Sequence, residues 1–204
     1  MLDRWSVAWV RRPVAWLAKP LEKRGITADQ VTIGGFCVGI LAMFALGMGW
    51  FKVALSLIVL NRLADGIDGV LARKNGTTDA GGFLDIVLDF IFYASVAVGF
   101  AFAEPDKNAL PAMILLFSFM GTGSSFLAFA SIAGKRGIES PVYKKKSLYY
   151  LGGLTEGTET IVFFVIICLF PSKFPLLALL FAAACFITTT TRIVTGYHTL
   201  SKDP

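Results

Sequence analysis

The sequence predicts an all-α integral membrane protein, with six transmembrane helices behind an N-terminal amphipathic interfacial helix. Three observations carry this reading. Hydrophobic residues make up 55% of the 204 residues and charged ones only 16%, where a soluble domain carries about 25% charged residues. The apolar residues gather into six runs, each near the roughly 20 residues that cross hydrocarbon. Most cations stand at the edges of those runs, as topology signals do. Mean hydropathy is +0.68. The length suits one transmembrane domain over 26–204, preceded by the interfacial helix over 1–25.

The opening stretch, MLDRWSVAWVRRPVAWLAKPLEKRG, mixes Trp5, Trp9 and Trp16 with six cations, among them Arg4, Arg11, Arg12 and Lys19. Charge interrupts it too often for a span, and it lacks the apolar core and cleavage site of a signal peptide. A helix in the cytoplasmic interface fits, with Trp among headgroups and Lys and Arg toward anionic lipid. Thr27-Ala28-Asp29-Gln30 then reads as a capping box, Thr27 capping while Gln30 reaches back. The first span follows over about 31–50 and the second over about 51–73. The others cover about 80–103, 110–133, 148–170 and 175–197. Asp79 reads as the cap of the third.

Short turns holding Lys52, Lys107 and Lys173 lie on one side. The other side holds the N-terminal cations, Arg73, Lys74, Lys135, Arg136, Lys144 to Lys146 and Lys202, fourteen against three. That asymmetry places both termini in the cytoplasm. The net charge of +5 therefore reports topology, and no basic stripe suggests nucleic acid. One histidine, His198, and three cysteines in apolar runs (Cys37, Cys168 and Cys185) argue against histidine catalysis, zinc and a disulfide framework.

The stretch NRLADGIDGVLARKNGTTDAGGFLDIVLDF places Asp65, Asp68, Asp85 and Asp89 among apolar residues. Asp65 and Asp68 are three apart and share a helix face with Gly69 and Ala72; Asp85 and Asp89 are four apart and share one with Gly81. Asp65 and Asp89 each lie eight residues from the intervening loop, about 12 Å along the helix. An antiparallel pair brings them level, with Asp68 nearer Asp85, as one cluster open to the cytoplasm. A charged Asp at mid-membrane costs about 2.5–3.5 kcal/mol, and four together repel. Divalent cations offset both terms, and all-oxygen ligation suits Mg²⁺, Mn²⁺ or Ca²⁺ rather than zinc. The small residues leave room for a bulky ligand, and Arg73 can hold a phosphate.

Asp65-x-x-Asp68-Gly69-x-x-Ala72-Arg73, followed by Gly81-x-x-x-Asp85-x-x-x-Asp89, resembles the motif of the CDP-alcohol phosphotransferases. The six-span layout, the amphipathic start and the GITADQVT entry to the first span are similar to that family too, most of all its small inner-membrane members in bacteria. The resemblance implies transfer of a substituted phosphate from a CDP-linked lipid, usually CDP-diacylglycerol, to an alcohol with release of CMP. It implies a multi-pass enzyme of the bacterial inner membrane in phospholipid biosynthesis, with its active site on the cytoplasmic side, and commonly a homodimer. By the same resemblance Asp65, Asp68 and Asp85 ligate Mg²⁺ or Mn²⁺. Asp89 is the general base on the acceptor hydroxyl and touches metal as well. Asp65, Asp68, Gly69, Ala72, Arg73 and Gly81 form the CDP site.

The acceptor is less legible. Glu156 and Glu159 stand three apart inside the fifth run, and Arg192 follows Thr188 to Thr191 in the sixth. These three are the candidate acceptor residues. The glutamates favour a polyol, amine or zwitterion. Arg192 and Lys144 to Lys146 favour an acceptor with a phosphate or carboxylate, such as glycerol 3-phosphate. Either glutamate can instead pair with Arg192 or Arg62. The threonines read as partners for backbone carbonyls, and Gly121 to Ser125 as close helix packing. Two rival readings stand beside the enzyme: a divalent-cation transporter using the Asp cluster, and a scaffold that keeps the fold without activity.

Overall fold

The structure, a computed structural model, describes residues 14–137 and 153–201. The described residues form seven α-helices and no strand. They are α1 over 14–23, α2 Ala28–Gly47, α3 Phe51–Asn75, α4 Asp79–Ala103, α5 Pro105–Lys135, α6 Gly157–Leu169 and α7 Phe174–Leu200, with a 3₁₀ turn Pro171–Lys173 before α7. Five of the six expected spans fall within a few residues of α2, α3, α4, α5 and α7. Trp5, Trp9, Arg4, Arg11, Arg12 and Lys144 to Lys146 lie outside the described residues.

Among the described residues, four segments are long and apolar enough to cross a membrane: α2, α4, α5 and Pro171–Leu200. α3 has the length, at 25 residues, but carries the charged stretch. α6 has only 13 residues, so the fifth expected span is overturned as a continuous helix. Its first described residues, 153–156, are not helical, because their backbone N–H groups bond elsewhere. Thr188 Oγ1 on α7 accepts from Leu154 N at 3.1 Å and Thr155 N at 3.0 Å, lies 2.9 Å from Thr155 Oγ1, and itself donates to the Ala184 carbonyl. Thr189, Thr190 and Thr191 only bond back to carbonyls four residues earlier, as the sequence suggests. Thr188→Val removes the partner of the buried Thr155 N–H and of the part-buried Leu154 N–H and should cost about 1–3 kcal/mol. Thermal unfolding in detergent should show that loss for Thr188→Val and almost none for Thr190→Val, whose side chain is exposed.

The capping box at Thr27 and Gln30 is present with both bonds. At α4 the cap is Thr78, whose side chain accepts from Gly81 N at 3.0 Å, and Asp79 is instead the first helical residue. A carboxylate there still favours the positive end of the helix dipole.

α2 packs along both α3 and α4, α5 packs on α7 and α4, and α6 closes against α3. The core is aromatic: Phe100 stacks on Phe174 with centroids 4.4 Å apart, and Phe92 meets Phe164 edge-on at 6.0 Å. α1 buries Val14 and Ala18 against Val70 and Leu71 of α3 while Trp16 is exposed. Lys74 and Glu22 join it to α3 at 2.7 Å. The expected tight packing of α5 is present: a Cβ on Gly121 would lie 3.0 Å from Thr189, and one on Gly123 2.9 Å from the Phe90 ring.

Candidate active site

α3 ends at Asn75 and is capped by Gly76, whose φ of 98° belongs to a region that glycine alone enters freely. The chain reverses within three residues and α4 begins at Asp79. This short reversal sets the register anticipated from the spacing. Carboxylate oxygens of Asp65, Asp85 and Asp89 lie within 4.8 Å of one another. Asp68 lines the same cleft from the α2 side, accepting from Thr32 Oγ1 at 2.6 Å.

Three carboxylates converging from two helices, with no imidazole or thiol among them, form a donor set suited to a hard divalent cation. The expected metal ligands Asp65, Asp85 and Asp89 are thus brought together, and Asp68 lines the same cleft, bonded to Thr32, without belonging to that converging trio. The expected donor-site residues sit at the loop end of the same hairpin. The Arg73 guanidinium folds back over Gly69, where a Cβ would lie 3.3 Å from it. A Cβ on Gly81 would fall 2.9 Å from the Asp29 carboxylate, so Gly81 is needed for packing as well as for room. Ala72 is half-buried beside Leu71.

Sequence reasoning missed how Arg62 is used. The sequence offers a glutamate of the fifth run as one alternative partner for it, but its partners are the aspartates: Nη2 to Asp89 Oδ1 at 2.7 Å and Nη1 to Asp65 Oδ1 at 3.6 Å. Its three-residue spacing from Asp65 was the available signal. Asn61 and Thr32, which also line the cleft, gave no signal beyond being polar in an apolar run. Among the residues lining this cleft, four carboxylates thus face one guanidinium.

Asp85 and Asp89 also line a second, adjoining cavity of about 250 Å³. Tyr93, Thr122, Glu156 and Arg192 bound it too, with several aromatic side chains. Arg192 is 7% exposed; its Nη1 donates to the Thr122 carbonyl at 3.0 Å and its guanidinium lies 5.7 Å from the centroid of Phe126. The two glutamates are not one face of a span. Glu156 is the N-cap of α6 and Glu159 its third residue, in a reciprocal capping box. Glu156 Oε1 accepts from Gly153 N at 3.0 Å, and Glu159 Oε2 accepts from Glu156 N at 3.2 Å. Carboxylates satisfy the orphan N–H groups of a helix start and suit its dipole. Glu156 and Arg192 reach the cavity, whereas Glu159 is not among the residues lining it.

A model of the CDP-alcohol phosphatidyltransferase family matches residues 26–194. An inner membrane protein of Escherichia coli, YnjF, is 54% identical over 202 residues, covering 99% of this chain and 98% of that protein. The archaetidylinositol phosphate synthase of Pyrococcus horikoshii is 31% identical, over 54% of this chain and 60% of its own length. The fold is similar to that of the phosphatidylinositol phosphate synthase of Mycobacterium tuberculosis in two crystal structures. With CDP-DAG bound the TM-score is 0.74 at 23% identity, covering 91% of this chain and 94% of that one. In complex with manganese and citrate it is 0.70 at 22% identity, covering 90% and 88%.

Proposed function

Because this chain belongs to the CDP-alcohol phosphatidyltransferase family, we propose that it transfers the phosphatidyl group of CDP-diacylglycerol to a small polar alcohol and releases CMP. The observation that carries this reading is the sharing of Asp85 and Asp89 between the carboxylate cleft and the adjoining cavity. A donor held at the cleft and an acceptor held in the cavity meet at those two side chains.

Asp65, Asp68 and Asp85, with Asp89 at the boundary, would hold the divalent metal, Mg²⁺ or Mn²⁺. When bound, that ion neutralises the donor pyrophosphate and stabilises charge on the departing CMP. Gly69, Ala72, Arg73 and Gly81 form the floor and rim of the nucleotide site, with Arg73 as the cation for a phosphate. Asp89 takes the proton from the acceptor hydroxyl. The oxygen then bonds to the phosphatidyl phosphorus as the phosphoanhydride bond to CMP breaks. Direct transfer fits, because among the described residues no serine, cysteine or histidine lines the cleft.

The acceptor is a small alcohol with an anionic group, glycerol 3-phosphate or a compound of the same class. Arg192 meets the anion and Glu156 a hydroxyl, while Glu159 holds Glu156 in place. Arg192→Gln should raise the KM for the acceptor at least about tenfold and leave the KM for CDP-diacylglycerol unchanged, as loss of one charge-assisted contact implies. Steady-state kinetics with each substrate varied in turn checks this.

In the membrane α2 to α7 make six crossings, α6 as a short one. α1 lies in the interface, both termini and the active site face the cytoplasm, and the protein works as a homodimer in the bacterial inner membrane. Family membership sets aside the cation-transporter reading. Purified protein with Mg²⁺ or Mn²⁺, CDP-diacylglycerol and a panel of alcohols should release CMP with one acceptor class. Absence of CMP with every acceptor would sink the proposal.

A further inference from the structure

We propose that Arg62 is a positioning residue that clamps Asp89 at the boundary between the metal cleft and the acceptor cavity, so that one carboxylate oxygen is held and the other serves the acceptor. The inference rests on the reading of Asp89 as the base.

The clamp is built from the helix pair upward. Gly35 and Gly39 let α2 and α3 approach; a Cβ on Gly35 would lie 2.7 Å from that of Ala64, and one on Gly39 3.0 Å from Asn61 Nδ2. Buried Asn61 therefore reaches across and donates to the Gly35 carbonyl at 2.8 Å. Its Oδ1 accepts from Arg62 Nε at 2.7 Å. The guanidinium lies 4.7 Å from the Phe92 ring centroid and 5.6 Å from that of Tyr93. It is thus fixed at Nε and beside two aromatic rings. From there one arm reaches Asp89 Oδ1 at 2.7 Å and the other Asp65 Oδ1 at 3.6 Å.

Asp89 is thereby held by one oxygen. Its Oδ2 accepts a long hydrogen bond, 3.5 Å, from the Tyr93 hydroxyl, a contact that an acceptor hydroxyl could displace, and Tyr93 lines the acceptor cavity but not the cleft. Without that hold, the Asp89 carboxylate could turn both of its oxygens to the divalent cation it would share with the other aspartates. Arg62 opposes this by occupying Oδ1 and by placing a fixed positive charge inside the cluster. A planar fork can bond two carboxylates on different helices; a lysine ammonium offers the charge without the fork.

The test separates charge from geometry. Binding of Mn²⁺ alone is measured by electron paramagnetic resonance, and CMP release is measured with both substrates, for wild type, Arg62→Lys, Arg62→Gln, Asn61→Leu and Asp89→Asn. Arg62→Lys should keep Mn²⁺ affinity within about twofold and lose about tenfold or more in kcat, with the KM for CDP-diacylglycerol unchanged. Arg62→Gln should bind Mn²⁺ about tenfold more tightly, since a like charge has left the site. Asn61→Leu keeps the charge but frees the guanidinium, and should lower kcat without changing Mn²⁺ affinity. Full kcat in both Arg62→Lys and Asn61→Leu beside an inactive Asp89→Asn would overturn the positioning role alone. Weaker Mn²⁺ binding by Arg62→Gln would overturn it as well. Full turnover by Asp89→Asn would overturn the base reading and this inference with it.

Discussion

Asp89→Asn should lower kcat for CMP release by about 10²–10⁴-fold, the range for loss of a general base, while the KM for CDP-diacylglycerol changes little. The substitution suits the question because the amide has nearly the shape of the carboxylate. Its oxygen can still accept from Arg62 Nη2, now 2.7 Å from Asp89 Oδ1, so the surrounding clamp has reason to stay in place. What is lost is the capacity to take a proton, together with one negative charge of the cluster. Raising the metal concentration should not restore turnover, because a missing base is not replaced by a cation. Turnover within about threefold of wild type would place the proton elsewhere.

Asp85→Asn should fail differently. Asp85 belongs to the converging carboxylate set and lines both cavities, so its loss weakens metal binding first. Metal stabilisation of a transition state amounts to several kcal/mol, which corresponds to about 10²–10³-fold in rate at a fixed, modest metal concentration. Excess Mn²⁺ should recover part of that loss by mass action, and the metal concentration at half-maximal rate should rise. A drop in kcat without any change in metal dependence would remove Asp85 from the ligand set. The two variants thus separate by metal rescue, although their side chains are one helical turn apart on α4.

The aspartate cluster was legible because two simple periodicities act on it. Spacings of three and four put each pair on one face, and equal distance from one loop brings the faces level. The turn at Gly76 makes that antiparallel register real. The ends of five helices were nearly as legible, since long apolar runs mark them. The fifth run misled for a reason that lies outside its own residues. Its apolarity suggested one unbroken helix, yet Thr188 of α7 draws the 153–156 backbone away from helical bonding. A contact to a helix more than thirty residues away leaves no trace in local hydropathy. The Glu156 and Glu159 pair did carry a local trace: the same three-residue spacing fits a capping box as well as a shared face, and the helix start decides between them. Arg62 was visible as a charge in an apolar run, but the choice between glutamate and aspartate partners depended on which helix lay across from it.

The non-helical segment ahead of α6 has a consequence for how the enzyme must be assayed. Irregular backbone at membrane depth is tolerated where it lines protein or a water-filled space, and this segment borders the cavity beside the carboxylate cleft, the proposed acceptor site, through Thr155 and Glu156. On the six-crossing reading, the cavity is then a wet inlet reached from bulk solution, whereas the diacyl donor diffuses in the plane of the bilayer. The two reactants are counted in different phases. Acceptor saturation should follow millimolar concentration in the buffer, and donor saturation should follow mole fraction in the lipid or detergent surface. Diluting the donor with inert detergent at constant total amount should slow the reaction, and no increase in acceptor should compensate fully.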